Sequence, residues 1–228
     1  CLISGSPGSG KSTLLLEAAH LVAEGQGSAV LYISGEESAQ QIAIRANRIG
    51  PTIDRLFLAD ETDLNRVLGH IEEHSPGLAL VIIDSVQTLA SGDVDGRAGG
   101  VAQVMEVAHV KTRVAKEKGL PVFMVGQVTK DSNVAGPRAL EHIVDATLSL
   151  EGDRHTSLRL LRAVKNRFGA LEVAAFEQTD GGMKEVLDPS LLFRGSRDEA
   201  VAGTCLTVVT EGARALTSEV QALVAHTS

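Results

Sequence analysis

The chain has 228 residues, of which 43% are hydrophobic and 3% aromatic, and its formal net charge is −8. This length and apolar content allow one large domain with an aliphatic core, and the acidic balance excludes a uniformly basic nucleic-acid coat, although not a basic strip in a ring or groove. The two cysteines, Cys1 and Cys205, exclude a disulfide framework and a Cys-x-x-Cys zinc site. No apolar run approaches the ~20 residues of a membrane span, and no signal peptide is visible, so we expect a cytoplasmic protein.

The first predicted strand and helix are joined by a turn with the spacing of a phosphate-binding loop. Residues 5–12 match Gly-x-x-x-x-Gly-Lys-[Ser/Thr] at every fixed position. The apolar residues before the turn indicate the end of a buried strand, and residues 12–24 have the pattern of an amphipathic helix, which a chance glycine-rich turn would lack. Backbone N–H groups of such a loop and the positive end of the helix dipole bind phosphate. The predicted nucleotide-binding residues are Gly5, Ser6, Pro7, Gly8, Ser9, Gly10, Lys11, Ser12 and Thr13.

Two side chains of this loop and one acid further along predict a site for a magnesium–triphosphate complex. In loops of this type the lysine, here Lys11, reaches the β- and γ-phosphates, and the hydroxyl of Ser12 is a Mg²⁺ ligand. Asp84 ends the apolar run 78–84, as does the acid that holds Mg²⁺ in such proteins. The alternative is that 78–84 is a core strand and Asp84 only caps its end.

Short apolar runs alternate with helical patterns, which predicts a parallel sheet covered by helices. After residue 127 the chain changes to a polar loop over 128–138 and then to shorter alternating runs, which predict antiparallel, hairpin-linked strands at one edge of the sheet. The fold class is therefore α/β, a P-loop core with a mainly parallel sheet, flanking helices and an antiparallel edge extension. Predicted strands are 29–34, 56–59, 78–84, 121–126, 146–150, 157–164, 172–176, 183–187 and 204–209, and predicted helices are 38–49, 63–74 and 101–118.

Polar residues after the predicted parallel strands are the catalytic candidates, because ligands of open α/β sheets bind at the carboxyl ends of the strands. Glu36 and Glu37 follow the strand 29–34, where a glutamate can polarise a water for attack on the γ-phosphate. The sequence does not separate these two acids; we favour Glu36, and the other acid would then stabilise the start of the next helix. Gln127 ends the strand 121–126 and is either a γ-phosphate sensor or a polar strand terminus.

Lys165 and Arg167 form a basic pair at the end of a predicted strand. Residues at i and i+2 of a strand point the same way, so the two side chains could reach one phosphate group. In a ring this phosphate could belong to the nucleotide of the neighbouring subunit. The alternative is a solvated hairpin tip, where clustered bases are common.

Two loops carry candidates for contact with a polymer in a central pore. Lys130 and Arg138 lie in the loop 128–138, and Arg97 lies in the loop 91–100. Neither loop contains an aromatic residue for base stacking. Contact with nucleic acid would therefore be mainly to phosphates, independent of sequence and weakened by salt.

Six segments together have the pattern of a known family: 5–12, 32–38 (Tyr-Ile-Ser-Gly-Glu-Glu-Ser), 127–130 (Gln-Val-Thr-Lys), 135–138 (Ala-Gly-Pro-Arg), 141–142 (Glu-His) and 165–169 (Lys-Asn-Arg-Phe-Gly). Through them the chain resembles, from Cys1 to about Val224, the bacterial RadA (Sms) family of RecA-like ATPases of DNA recombination and repair. The Lys-Asn-Arg-Phe-Gly element is the most specific signal, because it distinguishes this family from RecA itself.

The resemblance implies a RecA-type core that works as a hexameric ring similar to a DnaB-type helicase, with ATP between the subunits. It implies a DNA-dependent ATPase motor that promotes branch migration on single-stranded and branched DNA, with the RecA recombinase as a partner. The roles it carries over are Mg-ATP binding by Lys11, Ser12 and Asp84, water activation by Glu36, γ-phosphate sensing by Gln127, and action on the neighbour's nucleotide or its coupling to DNA by Lys165 and Arg167.

The chain departs from the family pattern mainly at its flanks. The family's N-terminal four-cysteine zinc element and its C-terminal Lon-protease-like domain are absent, and the segment after Phe168-Gly169 is slightly short. We expect a trimmed piece in which residues 1–217 form the ATPase domain and residues 218–228 begin the truncated C-terminal domain. The absent flanks put in question whether this piece alone assembles or loads on DNA.

Three other functions also fit a P-loop. They are a RecA-like strand-exchange ATPase, a small-molecule kinase and a nucleotide-gated clamp with little turnover. The kinase fits less well, because kinases of this type usually carry an Arg-rich lid, whereas a long polar loop and an antiparallel extension fit an oligomeric motor. ATP turnover without an acceptor would count against the kinase, and absence of homologous pairing by this protein alone would count against the strand-exchange ATPase. Unchanged DNA affinity and residual phosphate release after Glu36→Gln would support the clamp.

Overall fold

The structure is a computed structural model that describes residues 1–25, 28–50, 54–127, 140–152, 156–187, 202–211 and 214–222. None of the described helices is long and apolar enough to cross a membrane. The helices are α1 (Lys11–Gly25), α2 (Ala39–Ile49), α3 (Leu64–His74) and α4 (Val101–Lys118). The strands are β1 (Leu2–Gly5), β2 (Ala29–Ser34), β3 (Leu56–Asp60), β4 (Leu78–Asp84), β5 (Val122–Gln127), β6 (Ala146–Glu151), β7 (Leu158–Asn166), β8 (Val173–Thr179), β9 (Gly182–Glu185), β10 (Thr204–Glu211) and β11 (Arg214–Gln221).

Within the described residues, nine strands form one sheet in the order β3-β2-β4-β5-β1-β6-β7-β8-β9. The first six strands in this order are parallel to their neighbours, which confirms the predicted mainly parallel sheet. Helices cover both faces of this part, so its central strands β2, β4 and β5 are rich in buried apolar residues. On one face Leu31 and Ile33 of β2 lie in a core cluster with residues of α3 and α4. On the other face Val30 and Tyr32 lie in a cluster with residues of α1 and α2.

The antiparallel extension is confirmed for β7, β8 and β9, but two details of the prediction were wrong. Strand β6 pairs with β1 in parallel and only its other side pairs antiparallel with β7. The alternating pattern of a strand does not encode the direction of its neighbour, so the sequence could not show this. The strand predicted at 204–209 is not part of the extension, because β10 pairs with β11 in a separate two-stranded hairpin.

The domain boundary predicted at residue 217 lies inside β11. Strand β11 pairs with β10 continuously, from Arg214 opposite Glu211 to Gln221 opposite Thr204. The hairpin residues on either side of the boundary therefore form one paired unit. The division into two domains stays a prediction.

The register of the parallel strands brings their carboxyl ends to a common level, which we call the carboxyl edge. Ser34 of β2 lies opposite Asp84 of β4, and Gly5 of β1 lies opposite Gln127 of β5. The opposite ends of the same strands form the amino edge, where Leu2 of β1 lies opposite Thr147 of β6. Glu36 comes two residues after β2 and Gln127 ends β5, so the sheet itself brings these two predicted residues to the carboxyl edge.

Candidate nucleotide-binding site

The loop between β1 and α1 has the backbone of an anion cradle. Gly8 has a φ of +80° and Gly10 a φ of +95°, conformations that side chains with a Cβ rarely adopt. The loop feeds directly into α1, which begins at Lys11 and points its N-terminus at the cradle. The hydroxyl Oγ of Ser9 is buried and has no hydrogen-bond partner among the described residues. Positive φ glycines, a helix N-terminus and an orphaned donor together fit a bound phosphate group.

Lys11 is held inside this cradle. Its Nζ donates to the carbonyl oxygens of Gly5 and Ser6, both at 2.9 Å, and the residue is only 6% exposed. Burial lowers the pKa of the Lys11 ammonium, and the charges of Asp84 and Glu36 oppose this shift. An ammonium has three donors, so two are used by the loop and one is left for an anion. Of the two carboxylates that act on Lys11, Asp84 ends β4 and Glu36 follows the end of β2.

Asp84 is a buried acid at the end of β4, 7% exposed. Its Oδ2 accepts a hydrogen bond of 2.9 Å from the hydroxyl of Tyr32, which fixes the carboxylate on β4 toward the neighbouring strand. Carboxylate and hydroxyl oxygens are the hard ligands that Mg²⁺ prefers, and Mg²⁺ in phosphate sites is usually held by one or two protein groups and the substrate. Asp84 and Ser12 fit this description. Among the described residues, no group of three or more His, Cys, Asp or Glu side chains could hold a metal ion alone.

The structure separates the two adjacent glutamates that the sequence left open. The carboxylate of Glu36 accepts hydrogen bonds from Gln127 Nε2 at 2.7 Å and from Ser85 Oγ at 2.9 Å. Glu37 instead forms an ion pair with Arg45 of α2. Glu36 therefore faces the other polar residues of the carboxyl edge, whereas the charge of Glu37 is neutralised by Arg45 of α2.

The backbone next to these acids is also fixed. Ser34 Oγ accepts from the N–H groups of Glu36 and Glu37, at 3.2 and 2.9 Å. Ser38 caps the following helix in a capping box with Gln41, in which Ser38 N donates to Gln41 Oε1 at 3.0 Å. Both ends of the short segment are therefore anchored, and α2 begins at a defined place.

Gln127 connects β5 to Glu36 and to the residues after β4. While its amide donates to Glu36, its main-chain oxygen accepts from Gln87 Nε2 at 3.2 Å. The hydroxyl of Ser85 reaches the same Glu36 oxygen, and Ser85 is only 1% exposed. The predicted base and the predicted sensor are thus joined by a direct hydrogen bond.

Lys165 and Arg167 lie away from this site, near the amino edge. Lys165 of β7 is opposite Thr147 of β6, which is opposite Leu2 of β1. Gly5 is three residues further along β1, about 10 Å at the usual rise of a strand. Lys165 Nζ donates to the carbonyl oxygens of Glu141 and Val144, the latter at 2.7 Å.

Arg167 is the more accessible member of the basic pair. Its Nη1 lies 2.9 Å from Asp145 Oδ1, and its side chain is 56% exposed. Its backbone N–H donates to the carbonyl oxygen of Asp145 at 3.1 Å. The chain's own loop and its own basic pair are therefore at different edges of the sheet.

The predicted DNA contacts are only partly described. Lys130 and Arg138 lie outside the described residues. Arg97 lies in the loop before α4 and is exposed. Its carbonyl oxygen accepts from the N–H of Gly100 at 3.1 Å, which shapes the turn that leads into α4.

Sequence reasoning missed three polar residues of the site. Tyr32, the only tyrosine of the chain, looked like a core residue of β2. Ser85 and Gln87 follow Asp84, and their position directly after a strand at the carboxyl edge was a usable signal. No pattern in the sequence indicates that Tyr32 and Asp84 are partners, because their contact depends on the order of the strands.

Comparisons with known proteins agree with this geometry. A family model described as "AAA domain" matches residues 1–133. The DNA repair protein RadA of Mycobacterium tuberculosis is 51% identical over 227 residues, which are 98% of this chain and 47% of that protein. RadA of Escherichia coli is 46% identical over 226 residues, 99% of this chain and 48% of the relative. The chain thus spans about half the length of the curated relatives it matches.

Solved structures show the same fold at low sequence identity. A DnaB-like replicative helicase, solved in a study of its interactions with primase, matches with a TM-score of 0.68 and 16% identity, over 80% of this chain and 57% of that one. A KaiC-like protein of Pyrococcus horikoshii matches with a TM-score of 0.63 and 17% identity, over 81% and 88% of the two chains. The predicted RecA-type core and the resemblance to RadA are confirmed. The chain belongs to the AAA domain family, and over nearly all of its length it is similar to bacterial RadA.

Proposed function

We propose that this chain is the ATP-hydrolysing part of a DNA-dependent motor of recombinational repair. The observation that carries the proposal is the convergence of Lys11, Asp84, Glu36 and Gln127 at the carboxyl edge. ATP hydrolysis needs a loop that binds the phosphates, an acid that holds Mg²⁺, a carboxylate that activates water and a polar group that contacts the γ-phosphate, and these four residues fit those roles. The identity to RadA over nearly the whole chain supports the choice of repair as the process.

The chain's own residues would divide the chemistry as follows. The loop 5–12 and Thr13 bind the phosphates, and Lys11 neutralises their charge. Ser12 and Asp84 would hold Mg²⁺, which when bound neutralises charge on the phosphate oxygens. Tyr32 keeps the carboxylate of Asp84 in place through its hydroxyl.

Glu36 acts as the general base that takes a proton from the attacking water. Gln127 and Ser85 already orient its carboxylate, so the carboxylate does not have to move when the reaction begins. Gln127 serves as the sensor: a change in the group bound beside Glu36 changes this hydrogen bond, and Gln127 passes the change on to the residues that follow it in the chain. Glu37 holds Arg45 and has no part in proton transfer.

Lys165 and Arg167 act on the nucleotide of a neighbouring subunit. Their place near the amino edge, with β6 between them and β1, is unsuited to contact with the chain's own loop and supports action in trans. A homo-hexameric ring with ATP at its interfaces meets this requirement, and the fold shared with a DnaB-like helicase supports it. Arg167, which is the exposed member, would supply charge to the transition state.

The ring would use the energy of hydrolysis to move single-stranded and branched DNA and so to promote branch migration. Lys130, Arg138 and Arg97 would contact the phosphates of DNA in the pore, with Lys165 and Arg167 coupling the nucleotide to it. The RecA recombinase is the proposed protein partner. Contacts of this type are independent of sequence and depend steeply on salt.

Steady-state ATP hydrolysis with and without single-stranded DNA, across a range of salt, tests this proposal. We expect turnover without any phosphoryl acceptor, stimulation by DNA, and loss of the stimulation as salt rises. Glu36→Gln is the control for a contaminating ATPase. Hydrolysis that DNA leaves unchanged at every salt concentration would contradict the motor, and absence of hydrolysis would contradict the ATPase.

A further inference from the structure

A cavity of about 610 Å³ lies at the amino edge, at the opposite end of the parallel strands from the phosphate-binding loop. It is enclosed by the second half of α4, the first residues of β5 and the segment that leads into β6. Its apolar wall includes the buried side chains of Leu120, Val122, Met124 and Val144. Phe168, which is 82% exposed, also lines it, so the cavity reaches the protein surface. The roles proposed above leave this cavity unused.

Lys111 of α4 is the residue of this wall that its surroundings do not explain. It is 1% exposed, and its Nζ has no hydrogen-bond partner among the described residues. Burial lowers the pKa of the ammonium well below its usual value. A buried ammonium without an acceptor costs more free energy than the loss of an ordinary hydrogen bond. Such an atom in a native protein calls for a partner, and a bound ligand is one way to supply it.

Two other polar residues of the wall already have partners. Asp145 Oδ1 lies 2.9 Å from Arg167 Nη1, so the charge of this carboxylate is compensated. Asn166 Nδ2 donates to the carbonyl oxygen of Ala170 at 3.1 Å, and Asn166 Oδ1 accepts from the N–H of Phe168 at 3.0 Å. Lys111 is therefore the buried group of the wall that still needs an acceptor.

The volume and chemistry of the cavity restrict the ligand that would fit. Small-molecule sites have volumes of roughly 300–1,000 Å³ and are mostly apolar, with few polar groups that fix the orientation of the ligand. One buried ammonium matches the single charge of a carboxylate. A phosphate monoester has nearly two charges and three acceptor oxygens, more than one ammonium can satisfy in apolar surroundings. The part of the ligand away from its charge must be apolar, because the rest of the wall is.

We propose that this cavity binds a small amphiphilic carboxylate, an organic acid with one carboxylate group and an apolar body. The carboxylate accepts a hydrogen bond from Lys111 Nζ, and the apolar body packs against the side chains of α4, β5 and the segment before β6. The site lies at the other edge of the sheet from the nucleotide-binding residues. The proposal therefore does not depend on ATP hydrolysis.

Calorimetric titration with octanoate and with 1-octanol tests this site, because the two probes have the same chain length and only one has a carboxylate. Calorimetry suits the chain, which has no tryptophan to report binding. The variant is Lys111→Met, which removes the ammonium and keeps an unbranched side chain. The matched control is Lys118→Met on the same helix, because Lys118 Nζ is paired with Glu72 at 2.7 Å. Thermal unfolding of each variant shows whether it is folded.

We expect octanoate to bind the unaltered chain, and Lys111→Met to weaken this binding by about 10-fold to 150-fold, the range of a charge-assisted hydrogen bond. Binding of 1-octanol should change little in Lys111→Met, and Lys118→Met should bind octanoate as the unaltered chain does. Absence of octanoate binding by the unaltered chain would overturn the site. So would a folded Lys111→Met that binds octanoate normally or loses both probes equally.

Discussion

The carboxyl edge and the amino edge of the same sheet contrast in how their charged groups are paired. At the carboxyl edge, Glu36 is oriented by hydrogen bonds from the neutral groups of Gln127 and Ser85. Near the amino edge, Lys165 is bound to carbonyl oxygens and Arg167 to Asp145. In the proposed function, the carboxyl edge supplies the residues for hydrolysis of the chain's own nucleotide, and the basic pair acts on the nucleotide of a neighbour. The difference between the edges is the basis of the proposal that the catalytic site is shared between subunits.

The largest effect is expected from the lysine of the phosphate-binding loop. Lys11→Ala removes the cation of the cradle and should abolish ATP binding or reduce hydrolysis below detection. Calorimetry and phosphate release measure the two losses. Lys116→Ala, which removes an exposed lysine of α4, is the matched control. Normal turnover by Lys11→Ala would show that the carboxyl edge is not the nucleotide site.

The second prediction separates the two adjacent acids. Glu36→Gln should lower the rate of hydrolysis by about 10²- to 10⁴-fold with little change in ATP affinity, because it removes a general base. Glu37→Gln should leave the rate within a few fold, because its partner is Arg45 on α2. Single-turnover phosphate release measures both. A larger loss of rate in Glu37→Gln than in Glu36→Gln would identify Glu37 as the general base and contradict the role proposed for Glu36.

A smaller effect is expected near the amino edge. Arg167→Ala should leave ATP binding by the isolated chain nearly intact and lower turnover of the assembly by roughly 10²-fold, less than for a sole arginine finger because Lys165 keeps a second positive charge there. The lost ion pair with Asp145 is exposed and contributes little stability. A weaker nucleotide affinity in the monomer would contradict action in trans.

The smallest effect concerns stability. Lys111 of α4 is 1% exposed, its Nζ lacks a partner among the described residues, and burial holds its pKa well below the usual value. It lines a cavity of about 610 Å³ with Asp145 and Asn166, so it belongs to the amino edge. Lys111→Met should raise the free energy of unfolding by about 1–3 kcal/mol.

The pH dependence of this gain follows from the direction of the shift. The unfolded chain binds the Lys111 proton more tightly than the folded chain, so the folded state gains stability as pH rises toward the usual lysine pKa. The advantage of Lys111→Met should therefore be fully present below the lowered pKa of Lys111 and should shrink as pH approaches about 10.4. Denaturant unfolding at several pH values measures it. A destabilised variant would contradict the conclusion that the buried Lys111 ammonium costs stability.

The sequence predicted the parallel part of the fold well because its signals are local. Strand β4 and helix α4 begin and end at the predicted residues, since a continuous apolar run and a glycine stop define them. The direction of β6 and the partner of β10 were missed, because both depend on contacts between distant segments. Periodicity describes which side of a strand is buried and not which strand lies next to it.

The same distinction applies to the site. The phosphate-binding loop is one continuous segment, so its residues could be listed from the sequence. The choice between Glu36 and Glu37 required the position of Arg45, and the role of Ser85 required the distance to Glu36. The contact of the β8–β9 turn with α1, where Met183 N–H donates to Glu17, could not be expected, because these segments lie far apart in sequence.

Mixing two variants tests the shared site most directly. Lys11→Ala subunits keep the basic pair and Arg167→Ala subunits keep the nucleotide loop, so a mixed assembly contains some interfaces with both halves intact. We predict that the mixture hydrolyses ATP in the presence of single-stranded DNA at a rate well above the sum of the two variants alone. The control is the double variant Lys11→Ala/Arg167→Ala mixed with either single variant. These mixtures contain no interface with both halves intact, so we expect no recovery of ATP hydrolysis. A mixture no more active than its components would contradict the division of the site between two edges and two subunits.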